Sequence, residues 1–357
     1  MTARVIRDVR VVVVPWIVSR ALVGVGYVIA HSLGTSLSKH GVRGNTVDLF
    51  GWDAGFYRTI ARHGYDAVSA TDGLRFFPLY PVLGRAFGSS DAVMLGISNL
   101  ATLVALVLIL RLGRAWLNDE SAARRATWII ALGPGATATV MGYAEPLFLV
   151  LAVACALALH HDRIALAGAF GAGAALTRPV GIMLVVMFLA RGVATKRLRP
   201  TLGAIGPVAG LSAFLTWSRD FSGDWLRPLQ LQGQSNLRGE NVDPITAIWS
   251  ALRYVIVDHR IGPGLHLMWA AVAIIVCFIA YRRLPLPGSA FAAAVVLLSL
   301  TTRNLDSYER YLLSAFPLAI AAASVRMSNT QARMGAGVLG VLVVGYSSLA
   351  FGTVYVP

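Results

Sequence analysis

The chain has 357 residues, of which 56% are hydrophobic and only 13% charged, and its mean hydropathy is +0.66. A soluble domain of this length needs far more charge to cover its surface, so that class is excluded. The net charge of +14 does not mark a nucleic-acid binder, because the basic residues sit between apolar runs instead of forming one patch.

The apolar runs approach the roughly 20 residues needed to cross about 30 Å of hydrocarbon. They lack the alternation of a barrel strand, so the expected fold is all-α and polytopic, a single membrane domain over 1–357. Arg4, Arg7 and Arg10 precede the first run, 11–30. Its length, with no small-x-small site after it, favours a spanning helix entered from the cytoplasm over a cleaved leader. An amphipathic stretch without a span follows, 31–90. Further candidate spans are 92–112, 127–143, 146–159, 164–176, 180–190, 202–217, 265–281, 286–300, 311–323 and 335–354, about eleven in all. Those meeting near Thr139 and Thr177 are short enough to be kinked or partial. Cys155 and Cys277 lie inside apolar runs and read as packing residues.

Charge divides the loops into two sets. Arg111, Arg114, Arg124 and Arg125 share one expected cytoplasmic loop, and three more hold Arg191 to Arg199, Arg282 with Arg283, and Arg326 with Arg333. Most carboxylates fall on the other side, among them Asp48, Asp53, Asp72, Glu145, Asp258, Asp306 and Glu309. Acidic residues do not set orientation, so a functional extracytoplasmic face is the expected cause. That face has two large loops, 31–90 and 219–260, and a short one, 301–308. The second is rich in Gly, Gln, Asn and Asp around 233–243, the composition of a mobile loop.

The most informative segment runs from Asp48 to Tyr65. At helical spacing Trp52, Phe56, Tyr57 and Ile60 share a face, with Arg58, Thr59 and Arg62 opposite. Such a helix is expected to rest on the membrane surface, apolar side down. Asp53 falls on the apolar side, where a carboxylate must be paired, neutral or working; the bland alternative is a helix cap. Downstream, Arg75-Phe-Phe-Pro-Leu-Tyr-Pro81 puts an arginine beside a proline-fixed aromatic path, which suits a groove wall or an interfacial belt. Glu145, Arg178 and the pair Glu309-Arg310 stand at span edges on the same side. Arginine offers phosphate a rigid fork of donors, so Arg178 and Arg310 together point to an anionic ligand; the alternative is snorkelling, or pairing with Glu145 or Glu309. There is no HExxH, no CxxC and no glycine-rich phosphate loop, so neither a metal, a cofactor nor a nucleotide donor is expected.

These segments resemble the PIG-V family of GPI mannosyltransferases and their bacterial relatives among the GT-C glycosyltransferases. The resemblance rests on Trp52-Asp53-Ala54 with Ile60-Ala61 and Gly64-Tyr65, then Phe76-Phe77-Pro78-Leu79-Tyr80-Pro81. Tyr143-Ala144-Glu145-Pro146-Leu147-Phe148, Glu309-Arg310-Tyr311 and Phe316-Pro317 extend it almost to the last span. It implies a GT-C-like bundle in a bacterial plasma membrane, with an extracytoplasmic active site and an acidic residue in the first outer loop. Many GT-C families carry paired acidic residues there; Asp53 has no adjacent carboxylate, which favours one carboxylate acting alone.

The reaction so implied is inverting transfer of mannose from a polyprenyl-phosphate donor to a glycolipid or glycan acceptor, with Asp53 as general base. Arg310 and Arg178 are expected to hold the donor phosphate. Trp52, Tyr57, His63, Arg75, Glu145 and Tyr308 are candidates for sugar or acceptor contacts. A rival class, a flippase or transporter of a lipid-linked sugar, also needs arginines and membrane-embedded carboxylates. A non-catalytic membrane partner of the same fold is the third.

Overall fold

The structure is a computed structural model that describes residues 2–39, 44–68, 73–233, 239–257 and 261–355; Asp72 and Asp258 lie outside the described residues. In chain order its helices are α1 (Thr2–Lys39), α2 (Asp53–His63), α3 (Leu79–Ala86), α4 (Asp91–Leu117), α5 (Glu120–Leu132), α6 (Glu145–His160), α7 (Ile164–Thr177) and α8 (Leu184–Thr195). There follow α9 (Ile205–Ser222), α10 (Arg227–Gln230), α11 (Pro244–Ile256), α12 (Ile261–Arg283), α13 (Leu286–Ser299), α14 (Tyr308–Ser314), α15 (Pro317–Ala323) and α16 (Asn329–Phe351). Among the described residues the only β pairing is an isolated bridge between Asn241 and Thr302, which ties two of the long connections together.

Among the described residues, five helical segments are long and apolar enough to cross a membrane: Ala3–Thr35, Asp91–Leu117, Arg199–Ser222, Gly264–Arg283 and Asn329–Phe351. Glu145–His160, Ile164–Thr177, Pro179–Thr195 and Leu286–Ser299 are shorter apolar helices. The protein is an integral membrane protein built as a helical bundle. Local chemistry starts and stops its helices. Ser90 caps α4, accepting from the Val93 amide, Asp119 caps α5, accepting from Ala122, and Ser328 with Gln331 forms a capping box on α16. Helix α6 packs on α4 and α7, α1 on α16, and α7 on α9. The last contact is close because a Cβ on Gly206 would stand 1.9 Å from the Gly168 carbonyl oxygen.

Two expected spans are interrupted. The run 127–143 is not one helix: α5 ends at Leu132, Gly133-Pro134-Gly135 turns the chain, and a single 3-10 turn covers Ala136–Thr139. Gly135 has φ 82°, and a Cβ there would meet the Glu309 carbonyl oxygen at 2.9 Å, so the break lets α14 approach. The irregular backbone survives because protein groups satisfy it: Arg20 donates to the Thr139 carbonyl, Asn99 to that of Val140, and Ser98 to that of Tyr143. The run 311–323 likewise divides into α14 and α15 before Pro317.

Helix α2 turns its apolar side onto protein, where lipid was expected beneath it. Ala54, Tyr57, Ile60 and Ala61 are buried in an apolar cluster with Phe76, Tyr80, Met94 and Tyr143, and Trp52 and Phe56 are only half-buried beside it. The helix seats on protein because its small residues, Ala54 and Ala61, permit close packing, while Arg62 reaches Asp91 at 2.7 Å. The second long loop contains α11: Asp243 caps it, accepting from Ile245 and Thr246, and Ile245 and Trp249 are exposed on it.

Candidate active site

Several helix ends meet at one end of the bundle. Asp53 is the first residue of α2, Glu145 the first of α6, and Arg178 directly follows α7. A carboxylate in the first turn of a helix is favoured by the helix dipole, which accounts locally for Asp53 and Glu145. Arg178 has an extended backbone, as expected of a residue before proline. Arg75 ends the turn Gly73–Arg75, and Arg310 lies on α14.

The segment leading to Asp53 is tied down on both sides. Asp48 accepts from the Phe50 amide, and the Val47 amide donates to the Phe351 carbonyl at the end of α16. The Gly142 amide donates to the Leu49 carbonyl. Trp52 adopts φ 56°, ψ −135°, a conformation that L residues rarely accept, and its indole donates to the Ala350 carbonyl at 3.0 Å. Trp52, not Asp53, is the residue capping α2, and no side chain supplies the cap bond; the bland reading of Asp53 as a cap is therefore corrected.

The side chains converge on a cavity of about 160 Å³ lined by Asp53, Tyr57, Arg75, Phe76, Glu145, Arg178, Pro179, Val180, Gln232, Asp306, Ser307, Arg310 and Tyr311. Arg310 is its hub. Its Nη1 lies 2.7 Å from Asp53 Oδ2 and 3.4 Å from Glu145 Oε1, and its Nη2 donates to Ser307 Oγ at 3.0 Å. Arg178 pairs with Glu145 at 3.2 Å and donates to Ser314 Oγ. Arg75 stands 3.9 Å from Asp53, with Phe56 and Phe76 under its guanidinium. Asp53 is therefore not the only carboxylate on Arg310: Glu145 shares it, a juxtaposition that adjacency in sequence does not reveal.

Burial on its own would raise the Asp53 carboxyl, but Arg310 and then Arg75 outweigh it and hold the group below its ordinary 3.8. Tyr57 is pushed well above 10 by burial and then by Glu145, so it faces the cavity as a neutral hydroxyl. Three arginines meet two carboxylates, yet the pairing is incomplete. Among the described residues, the buried Nε of Arg75, Nε of Arg310 and Oε2 of Glu145 have no hydrogen-bond partner.

Of the residues singled out from sequence, the cavity gathers Asp53, Tyr57, Arg75, Glu145, Arg178 and Arg310. It does not gather Trp52, which supports the turn before Asp53, or His63, which is exposed at the far end of α2. Tyr308 is fully buried in the main apolar core, because the start of α14 turns that side chain inward. Glu309, the immediate neighbour of Arg310, pairs with His266 instead. Asp306, Ser307, Tyr311 and Gln232 are additions. Ser307 makes a turn with φ 59°, and Gln232 comes from the second large loop of the expected functional face, where no single residue stood out.

No family model matches the chain, and no curated protein does. Among solved structures it resembles ArnT from Cupriavidus metallidurans bound to undecaprenyl phosphate, with a TM-score of 0.57 and 16% identity over 98% of this chain and 70% of that one. The apo oligosaccharyltransferase of Archaeoglobus fulgidus gives a TM-score of 0.44 at 14% identity, covering 95% of this chain and 56% of that one. The oligosaccharyltransferase AglB of the same organism, in complex with an inhibitory peptide and a dolichol-phosphate, gives 0.43 at 13%, covering 92% and 56%. The fold is GT-C-like.

Proposed function

We propose that this chain is an inverting glycosyltransferase that moves a sugar, mannose by its PIG-V-like motifs, from a polyprenyl-phosphate donor to a lipid or glycan acceptor at the extracytoplasmic face. The observation that carries the reading is one carboxylate, Asp53, bonded in a membrane-bundle cavity to an arginine that keeps a buried donor unused. The solved neighbour bound to undecaprenyl phosphate supports the donor class.

In this reading the acceptor oxygen attacks the anomeric carbon from the face opposite the phosphate. Its proton goes to Asp53, and the electron pair of the breaking carbon–oxygen bond stays on the phosphate. Arg310, with Arg178 beside it, offsets the charge growing on that leaving group. The 2.7 Å bond between Asp53 and Arg310 adds a coupling. A donor phosphate competes for Arg310, and whatever share it takes releases Asp53 from the charge that weakens it as a base. Donor binding thus arms the carboxylate. Tyr57 and Gln232 offer polar contacts for sugar hydroxyls, and the prenyl chain lies between helices.

The test supplies the purified protein in lipid with a labelled polyprenyl-phosphate mannose and a membrane lipid extract, and identifies products by mass spectrometry. A new labelled glycoside is expected. Label that crosses the bilayer of liposomes with no new glycosidic bond would replace this reading with the flippase.

A further inference from the structure

Behind the cavity wall lies a pair of titratable side chains for which the transfer step has no use. His266 on α12 and Glu309 on α14 are each 2% exposed. The Glu309 oxygens stand 2.8 and 3.1 Å from His266 Nδ1. An ionised carboxylate only accepts, so Nδ1 carries the hydrogen and donates it. The lone pair of the neutral ring is then on Nε2, which stands 3.7 Å from Oδ1 of Asp306. Asp306 lines the cavity with a half-exposed side chain. An oxygen and a nitrogen lone pair facing each other attract only when a proton lies between them, so the arrangement has a place for one proton and a route to it from the cavity.

The Tyr355 ring stands 5.2 Å from that of His266, and Tyr346 packs against Tyr355 in turn. Helix α11, packed along α12, carries Arg253 and Tyr254, whereas α13 and α15 bring no titratable group. The reaction proposed above releases one proton per transfer, and Asp53 cannot keep it while Arg310 and Arg75 stand against it.

We propose that Asp306 and His266, the latter oriented by Glu309, form the relay that takes the acceptor's proton away from Asp53; this rests on the transferase reading. The acceptor O–H bond breaks and an oxygen–anomeric carbon bond forms. The carbon–phosphate oxygen bond breaks with its electron pair left on phosphate. The proton moves from Asp53 across the shared cavity to Asp306 and then to Nε2 of His266, and returns to solvent through Asp306. His266 touches no substrate and acts as a positioning and proton-holding residue.

The experiment compares wild type, His266→Gln and Asp306→Asn in nanodiscs, reading kcat for transfer from labelled polyprenyl-phosphate mannose across pH, and the Kd for undecaprenyl phosphate. Wild-type kcat should fall on the acid side, because a relay that already holds a proton cannot take another. Each variant should lose that acid limb and about 100-fold in kcat, the lower end for a positioned acid–base group, and His266→Gln, outside the cavity lining, should leave Kd unchanged. Asp306→Asn leaves the buried pair intact and decides the matter if His266→Gln does not fold. A folded variant with the wild-type kcat and limb overturns the relay, as does a lowered kcat with the limb retained, which marks mere packing. Full turnover by Asp53→Asn removes the proton donor this relay serves, whereas no labelled glycoside from the wild type overturns the transferase reading beneath it.

Discussion

The two ends of the bundle use the same residue types for opposite ends. At one, Asp8 on α1 binds Arg111 at 2.8 Å and Arg114 of α4 beside it, while Arg114 and Arg124 close on Glu120. At the other, Asp53 and Glu145 meet Arg75, Arg178 and Arg310 around about 160 Å³ of space, with three buried polar atoms left over. Where charges fill one another they clamp helices. Where they stand apart around a hollow, they keep interaction capacity for something that enters it.

The sharpest way to break this comparison is to alter one carboxylate at each end. Asp53→Asn is expected to reduce transfer by roughly 10²–10⁴-fold while the protein stays folded and still binds undecaprenyl phosphate; wild-type kcat would remove Asp53 from the mechanism. Asp8→Asn should do the reverse. Losing a buried carboxylate costs at most about 3 kcal/mol here, since Arg114 keeps Glu120 and both arginines reach solvent, and it should appear as a lowered Tm with kcat intact. A change in kcat without a change in Tm would erase the distinction between clamp and site.

Glu145→Gln sharpens the comparison from within the cavity. It releases Arg178 and Arg310 from a shared anion, so undecaprenyl phosphate should bind about tenfold tighter, a modest share of what one nearby charge can exert. Weaker binding would mean that Glu145 contacts the donor directly. The smallest effect concerns acid. Because the folded Asp53 carboxyl is depressed below 3.8, its contribution to stability is complete at neutral pH and is lost as pH falls through the depressed value. Acid denaturation of Asp53→Asn should lack that part of the slope, and an identical acid profile would show that the Arg310 pair contributes no net stability.

Much of the site could be read before the fold was known, though not its wiring. Asp53 stood out because a carboxylate sat among apolar positions, and Arg75, Glu145, Arg178 and Arg310 because charges at span edges are expensive. Tyr308 and His63 misled, since a polar residue beside a marked one need not share its direction on a short helix. Asp306 and His266 carried no local anomaly. Their meaning arises only when α12 lies against α14.

Hydropathy and charge along the chain determined membrane residence, helical class, and the gathering of carboxylates apart from the arginine-rich loops, because crossing hydrocarbon constrains length and composition one residue at a time. Only the tertiary structure decided that Arg310 meets Asp53 across 257 positions, that the run after Thr127 breaks, and that Glu309 turns from Arg310 to His266. Those outcomes follow from which small residues let helices approach and which buried groups could find partners, and packing of that kind leaves no one-dimensional trace.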